Sequence, residues 1–189
     1  MITIIKNMLR TYWHRLRSKT RKHGRSETSK CRARLAPFCL GDGADLGFGG
    51  DPINDRAIRV DLPNQYGAVG NYPRQLRGTV EKLHWFTDAS LDYLYSSHVL
   101  EDFTDTEAII HEWWRVLKPG GRLVIFCPDE KTYKAHCDRT GQYHNEHHVH
   151  ADFSLTKVKD HLTRVGSYKL IHEVPMIDHY SWELVVEKA

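Results

Sequence analysis

The sequence predicts an α/β fold, a mostly parallel sheet whose last strand runs antiparallel, and three features carry that expectation. Short apolar runs bounded by turn residues recur from residue 33 onward. Helical patterns lie between several of them, as right-handed crossovers between parallel strands require. The best-defined unit is 91–129, LDYLYSSHVLEDFTDTEAIIHEWWRVLKPGGRLVIFCPD, which reads as strand, polar loop, amphipathic helix, glycine turn and second strand.

Taken in order, strands are expected near 36–40 (APFCL), 57–61 (AIRVD), 77–80 (RGTV), 91–96 (LDYLYS), 122–127 (RLVIFC), 168–174 (YKLIHEV) and 181–187 (SWELVVE). RLVIFC is apolar without alternation, as a strand buried on both faces should be. The last two runs, joined by PMIDHY, form a hairpin, which turns the final strand antiparallel. Helices are expected at 104–117 and 154–165. In the first, Ile109, Ile110, Trp113, Trp114 and Leu117 recur at helical spacing, Thr104 caps the start with Glu107 three residues on, and Pro119-Gly120-Gly121 stops it. Ser154 caps the second. The connections 41–56 and 62–76 are lean, with no helical period in the latter.

A chain of 189 residues suffices for one buried sheet with flanking helices and is short for two ordinary domains. Hydrophobic content of 40% and charge of 27% are those of a globular protein without a membrane-spanning run. Cys31, Cys39, Cys127 and Cys137 form no CxxC pair, so reduced thiols and a cytoplasmic location are expected. The net charge of +3 hides an asymmetry: residues 1–34 hold 11 Lys and Arg against one acid, Glu27, and residues 35–189 come to −7. The organisation expected is a basic arm, 1–34, on an acidic body, 35–189. Ile2, Ile4, Ile5, Met8, Leu9, Tyr12, Trp13 and Leu16 give the arm an apolar helical face, followed by a polar stretch, SKTRKHGRSETSK. A helix lying over the body as a lid is the first reading of the arm, contact with nucleic acid or an anionic membrane the second, and a targeting role the last.

The loop SSHVLED and the turn LKPGG, with the strands that flank them, carry a resemblance: 91–129 looks like the second half of the core of class I S-adenosylmethionine-dependent methyltransferases. That resemblance implies a Rossmann-like sheet, S-adenosylmethionine as cofactor and methyl transfer as the activity. After the first strand comes the glycine-rich run Gly41-Asp42-Gly43-Ala44-Asp45-Leu46-Gly47-Phe48-Gly49-Gly50, which lets backbone approach a ligand closely, and Asp61 ends the next strand where a carboxylate can accept from ribose hydroxyls. By the resemblance, Gly41, Asp42, Gly43 and Asp61 hold the cofactor, Thr79, Val80 and Leu83 border adenine, and Ser96, Ser97 and His98 face the methionine end. Asp45 stands where the family's third glycine is often found, and Thr79 where an acidic residue often meets the exocyclic amine. Asp42 and Asp45 favour a sulfonium over a pyrophosphate, and no helix directly follows the glycines to receive phosphates, which disfavours a nicotinamide cofactor.

The segment 129–153, DEKTYKAHCDRTGQYHNEHHVHADF, is expected to cover the acceptor. His98 and one of His144, His147 and His148 are the candidate catalytic residues, since imidazole can remove a hydroxyl proton near neutral pH. A divalent metal held by that cluster is the competing idea, but its spacings match no zinc motif, and no metal is assigned. The expected function is methyl transfer to a small polar acceptor, a hydroxyl of a sugar- or nucleotide-type metabolite. The alternative is a nucleic-acid-binding or RNA-modifying protein docked by its basic arm, and a nicotinamide-dependent oxidoreductase is the third.

Overall fold

The computed structural model describes residues 26–64 and 70–189. The elements are α1 (Glu27–Leu35), a 3-10 turn (Ala36–Phe38), β1 (Gly43–Leu46), β2 (Ile58–Asp61), β3 (Leu76–Arg77), β4 (Leu91–Ser97), a 3-10 turn (Leu100–Asp102), α2 (Thr106–Val116), β5 (Leu117–Pro128), α3 (Glu130–Thr140), α4 (Leu155–Val165), β6 (Tyr168–Ile177) and β7 (Ser181–Lys188). The seven strands form one sheet in the order β3-β2-β1-β4-β5-β7-β6. The first five are parallel, and β7 runs antiparallel between β5 and β6, so the expected hairpin and its antiparallel final strand are present.

Residues on alternate faces of the sheet feed two apolar layers. Leu46, Leu94, Leu123, Ile125, Leu184 and Val186 pack on α2 and α4, whereas Tyr93, Tyr95, Val124, Phe126 and Val185 meet Cys31 and Leu35 of α1. In α2, burying Ile109, Ile110, Trp113 and Trp114 contributes about 1.5–3 kcal/mol per side chain, which outweighs the propensity deficit of aromatic and β-branched residues, about 0.7 kcal/mol each at most. Its cap is Asp105, one residue beyond the expected Thr104, accepting from the Ala108 N–H at 3.0 Å.

Five expectations need correction. APFCL is not a strand: Pro37 opens a 3-10 turn, and β1 is GADL, inside the run read as a loop. The third strand is two residues, Leu76–Arg77, not 77–80. LKPGG does not separate helix from strand. Leu117 already pairs with Leu91, and the PGG segment is an irregularity within β5, with Gly120 at φ +76°. Residues 27–34, assigned to the arm, form most of α1, whose Thr28, Cys31 and Leu35 are buried, so the packed body reaches back to Ser26. The segment 129–153 is not one loop, because α3 occupies its first half, between the cap Asp129 and Gly141 in the left-handed conformation. The apolar helix expected within 2–16 lies outside the described residues.

Candidate active site

The carboxyl ends of β1, β2, β4 and β5 meet at one pole of the sheet, where an open α/β fold leaves a crevice. Leaving β1, the chain turns through Gly47-Phe48-Gly49-Gly50, and three of these four residues have positive φ. Gly47 needs to be glycine twice over, since its φ is +71° and an added Cβ would lie 2.4 Å from Val99. Asp61, closing β2, binds this turn: its Oδ2 accepts from the Gly49 N–H at 3.0 Å and its Oδ1 from the Leu62 N–H at 2.7 Å. Asp45, 1% exposed, accepts from the Ile53 N–H at 2.6 Å through Oδ2, while its Oδ1 has no hydrogen-bond partner among the described residues. Burial pushes its carboxyl up to about 8.

The expected site residues divide accordingly. Asp61 and the segment of Thr79, Val80 and Leu83 follow β2 and β3 at the crevice pole, with Thr79 Oγ1 donating to Glu81 at 2.7 Å, and Val80 and Leu83 buried. Ser96 and Ser97 end β4. Ser96 is fully buried and spends its hydroxyl on the Leu46 carbonyl, whereas Ser97 Oγ is buried without a hydrogen-bond partner among the described residues. Gly41 and Asp42, by contrast, precede β1 and so lie at its amino end, where the Asp42 N–H donates to Asp92. Gly43 is inside β1, and an added Cβ would lie 2.3 Å from the Tyr93 ring, so its smallness serves packing. The glycines at the crevice are the later ones, four to seven residues beyond Gly43. Shifting the strand to GADL would have found them.

His98 follows β4 with φ +52°, a conformation that costs a non-glycine residue about 1–3 kcal/mol unless its surroundings enforce it. Here the enforcement is dense. Its N–H donates to the Phe126 carbonyl at 2.8 Å, its ring lies 5.3 Å from that of Phe126, and Nε2 is 3.4 Å from Glu27 and from the Ser181 hydroxyl. On the other side, Nδ1 is 3.4 Å from Glu101. Burial holds the imidazole down at about 4. His148, from the loop after α3, joins the same cluster: its Nδ1 is 2.7 Å from Glu130, its Nε2 3.7 Å from Glu101, and its ring 4.8 Å from Tyr133. His144 and His147 do not join it. Both are exposed, His144 paired with Asp138 at 2.9 Å and the His147 N–H donating to Asn145 Oδ1.

Sequence reasoning did not single out Glu101, Glu27, Lys30 or Tyr180, which line this cluster. The Lys30 ammonium bonds Glu27 at 2.6 Å and lies 5.8 Å from the Tyr180 ring centroid. Glu101 had a signal: it lies three residues after His98 in SSHVLED, one turn away once the chain coils. Among the described residues, no group of three or more His, Cys, Asp and Glu side chains is arranged to hold a metal ion.

A family profile described as a methyltransferase domain matches residues 55–125. The chain is 28% identical over 154 residues to malonyl-[acyl-carrier protein] O-methyltransferase 1 of Coxiella burnetii, covering 78% of this chain and 54% of that protein. It is 36% identical over 75 residues to the ubiquinone/menaquinone biosynthesis C-methyltransferase of Pasteurella multocida, covering 39% of this chain and 27% of that protein. It thus spans about half or less of the length of these curated relatives. A solved S-adenosylmethionine-dependent methyltransferase of Thermotoga maritima superposes over 100% of both chains with a TM-score of 0.64 at 15% identity, a likeness of fold.

Proposed function

Because the chain belongs to the class I S-adenosylmethionine-dependent methyltransferase family, we propose that it transfers a methyl group to a small polar acceptor, at a hydroxyl of a sugar- or nucleotide-type metabolite. The observation that carries this reading is the Asp61 carboxylate tied to the Gly49 amide, which links the end of β2 to the glycine turn.

The residues present fit the cofactor. Two buried oxygens at the sheet ends, Asp45 Oδ1 and Ser97 Oγ, lack hydrogen-bond partners among the described residues and stand ready for a ligand's polar groups or its water. Asp61 would accept from the ribose hydroxyls, the Gly47–Gly50 backbone would lie against the amino-acid tail, and Thr79, Val80 and Leu83 would border adenine. When bound, the cofactor supplies an electrophilic methyl on a sulfonium. The protein's share is to align the acceptor oxygen in line with that methyl and take its proton. His98 is the base in this reading, supported by its enforced geometry and its buried acidic neighbours. His148 supports it from behind. His144 and His147, being exposed, are left to the rim. The four cysteines are buried and unbridged, which fits the cytoplasmic location proposed here.

Calorimetric titration with S-adenosylmethionine and with NAD tests the cofactor. Binding of the former alone is expected, and Asp61→Ala should weaken it by at least about 100-fold, since two charge-assisted hydrogen bonds contribute about 1.5–3 kcal/mol each. Unchanged affinity in a variant with native circular dichroism removes the assignment. Incubation with S-adenosylmethionine and fractionated metabolites, followed by mass spectrometry for the gain of one methylene, tests the acceptor.

A further inference from the structure

Glu101 is buried to 1% exposure behind the candidate base, and its Oε1 has no hydrogen-bond partner among the described residues. That oxygen lies between two imidazoles, 3.4 Å from His98 Nδ1 and 3.7 Å from His148 Nε2. Its other oxygen accepts from the Cys127 thiol at 3.5 Å. Beyond His148 the line continues outward: His148 Nδ1 is 2.7 Å from Glu130, itself fully buried, and Glu130 Oε1 is 2.9 Å from the Lys134 ammonium, which is 39% exposed. A buried acid with one oxygen left without a hydrogen bond among the described residues, between two rings that each turn a nitrogen towards it, is a costly arrangement for a purely structural carboxyl.

We propose that Glu101 is a proton-exchanging positioning residue that sets the basicity of His98, passing its own carboxyl proton to His148 as His98 takes the acceptor's. This deepens the methyltransferase reading and rests on it. Burial, with Asp102 and Glu130 near, raises the Glu101 carboxyl well above the usual carboxylate range, which favours the neutral acid at rest. The acceptor O–H bond breaks and its proton goes to His98 Nε2. The Glu101 proton goes to Nε2 of His148, whose Nδ1 faces Glu130 at 2.7 Å. The cluster gains one proton in all, and a carboxylate now stands between two imidazolium rings.

The exchange resolves a conflict in the static geometry. A buried, neutral His98 held at about 4 is a poor base for a hydroxyl. Beside a newly formed carboxylate it is a far better one. The charged and titratable groups facing His98 are Glu27 and Lys30 from α1, Glu101 from the turn after β4, His148 from the loop after α3, and Tyr180 from the turn before β7. Glu27 is already paired with Lys30, which leaves Glu101 as the acidic neighbour whose charge can change.

Histidine ring resonances of the ligand-free chain, followed by NMR against pH, test this without an acceptor. The wild-type protein gives the reference midpoint of His98. In Glu101→Gln, which stays neutral, the His98 midpoint should fall by at least about one pH unit, a tenfold loss of proton affinity. His148→Gln keeps Glu101 but removes the proton's destination, and should move His98 the same way. A His98 midpoint unchanged in either folded variant overturns the proposal. Calorimetry with S-adenosylhomocysteine on the same samples tests the cofactor reading separately: failure there leaves the titrations to be judged on their own.

Discussion

Asp45 sits beneath the glycine turn at a stability cost that pH should reveal. Its carboxyl is raised from an ordinary 3.8 to about 8, chiefly by burial, against the opposing Ile53 N–H bond. A folded-state value above the unfolded one means the stability contribution is full below pH ~4 and is lost as pH rises towards 8. Asp45→Asn, which keeps the acceptor for Ile53 and removes the charge, should therefore raise Tm at pH 8 by about 5 °C and leave it nearly unchanged at pH 4. Differential scanning fluorimetry across that range decides it. A parallel fall in S-adenosylmethionine affinity would mark the position as one where function is bought with stability. Little of this was legible beforehand, because one misplaced strand put Asp45 in a loop and drew attention to the glycines at 41–43 rather than those at 47–50 that follow β1 into the crevice.

Elements were legible where apolar spacing was strong and obscure where charge covered a helix. The pattern of α2 was plain from Ile109 to Val116, and Ser154 marked the start of α4. The helix α1 was hidden inside a polar, basic stretch, although Ser26 as cap and Thr28, Cys31 and Leu35 at helical spacing were there to be read. The helix α3 buries only Glu130 and Cys137, so periodicity gave no sign, and only Asp129 and Gly141 bounded it. A buried ion cluster fastens α1 to the hairpin: Glu183, fully buried on β7, is 2.6 Å from Arg34 and 2.9 Å from His172. Removing one partner strands a buried charge, which generally costs about 3–5 kcal/mol. Since Arg34 is 37% exposed and His172 remains, Arg34→Leu should cost less, about 2 kcal/mol, in a denaturant melt. A loss under about 0.5 kcal/mol would mean water already solvates Glu183.

At the scale of the whole molecule, charge is divided along the chain more sharply than chemistry is. Residues 1–25 hold 8 Lys and Arg and no acid, whereas 26–189 hold 19 basic and 24 acidic groups, a net −5. The division bears directly on the acceptor. A polyanionic acceptor would have to be attracted by the first segment and tolerated by a body of net −5 that sets Asp61 and Glu27 at the crevice. A small polar acceptor needs no such field. The two readings separate by salt dependence in the full chain: S-adenosylhomocysteine, with no net charge, should bind with an affinity that changes less than about threefold between about 50 and 200 mM salt. RNA held through 6–10 phosphates would lose about 10³–10⁵ in affinity over the same range. The expected result is salt-insensitive nucleoside binding and weak RNA binding that salt abolishes, with no methyl incorporated into RNA. Transfer of labelled methyl to RNA that persists at about 200 mM salt would assign the acceptor to nucleic acid and make the basic segment its docking surface.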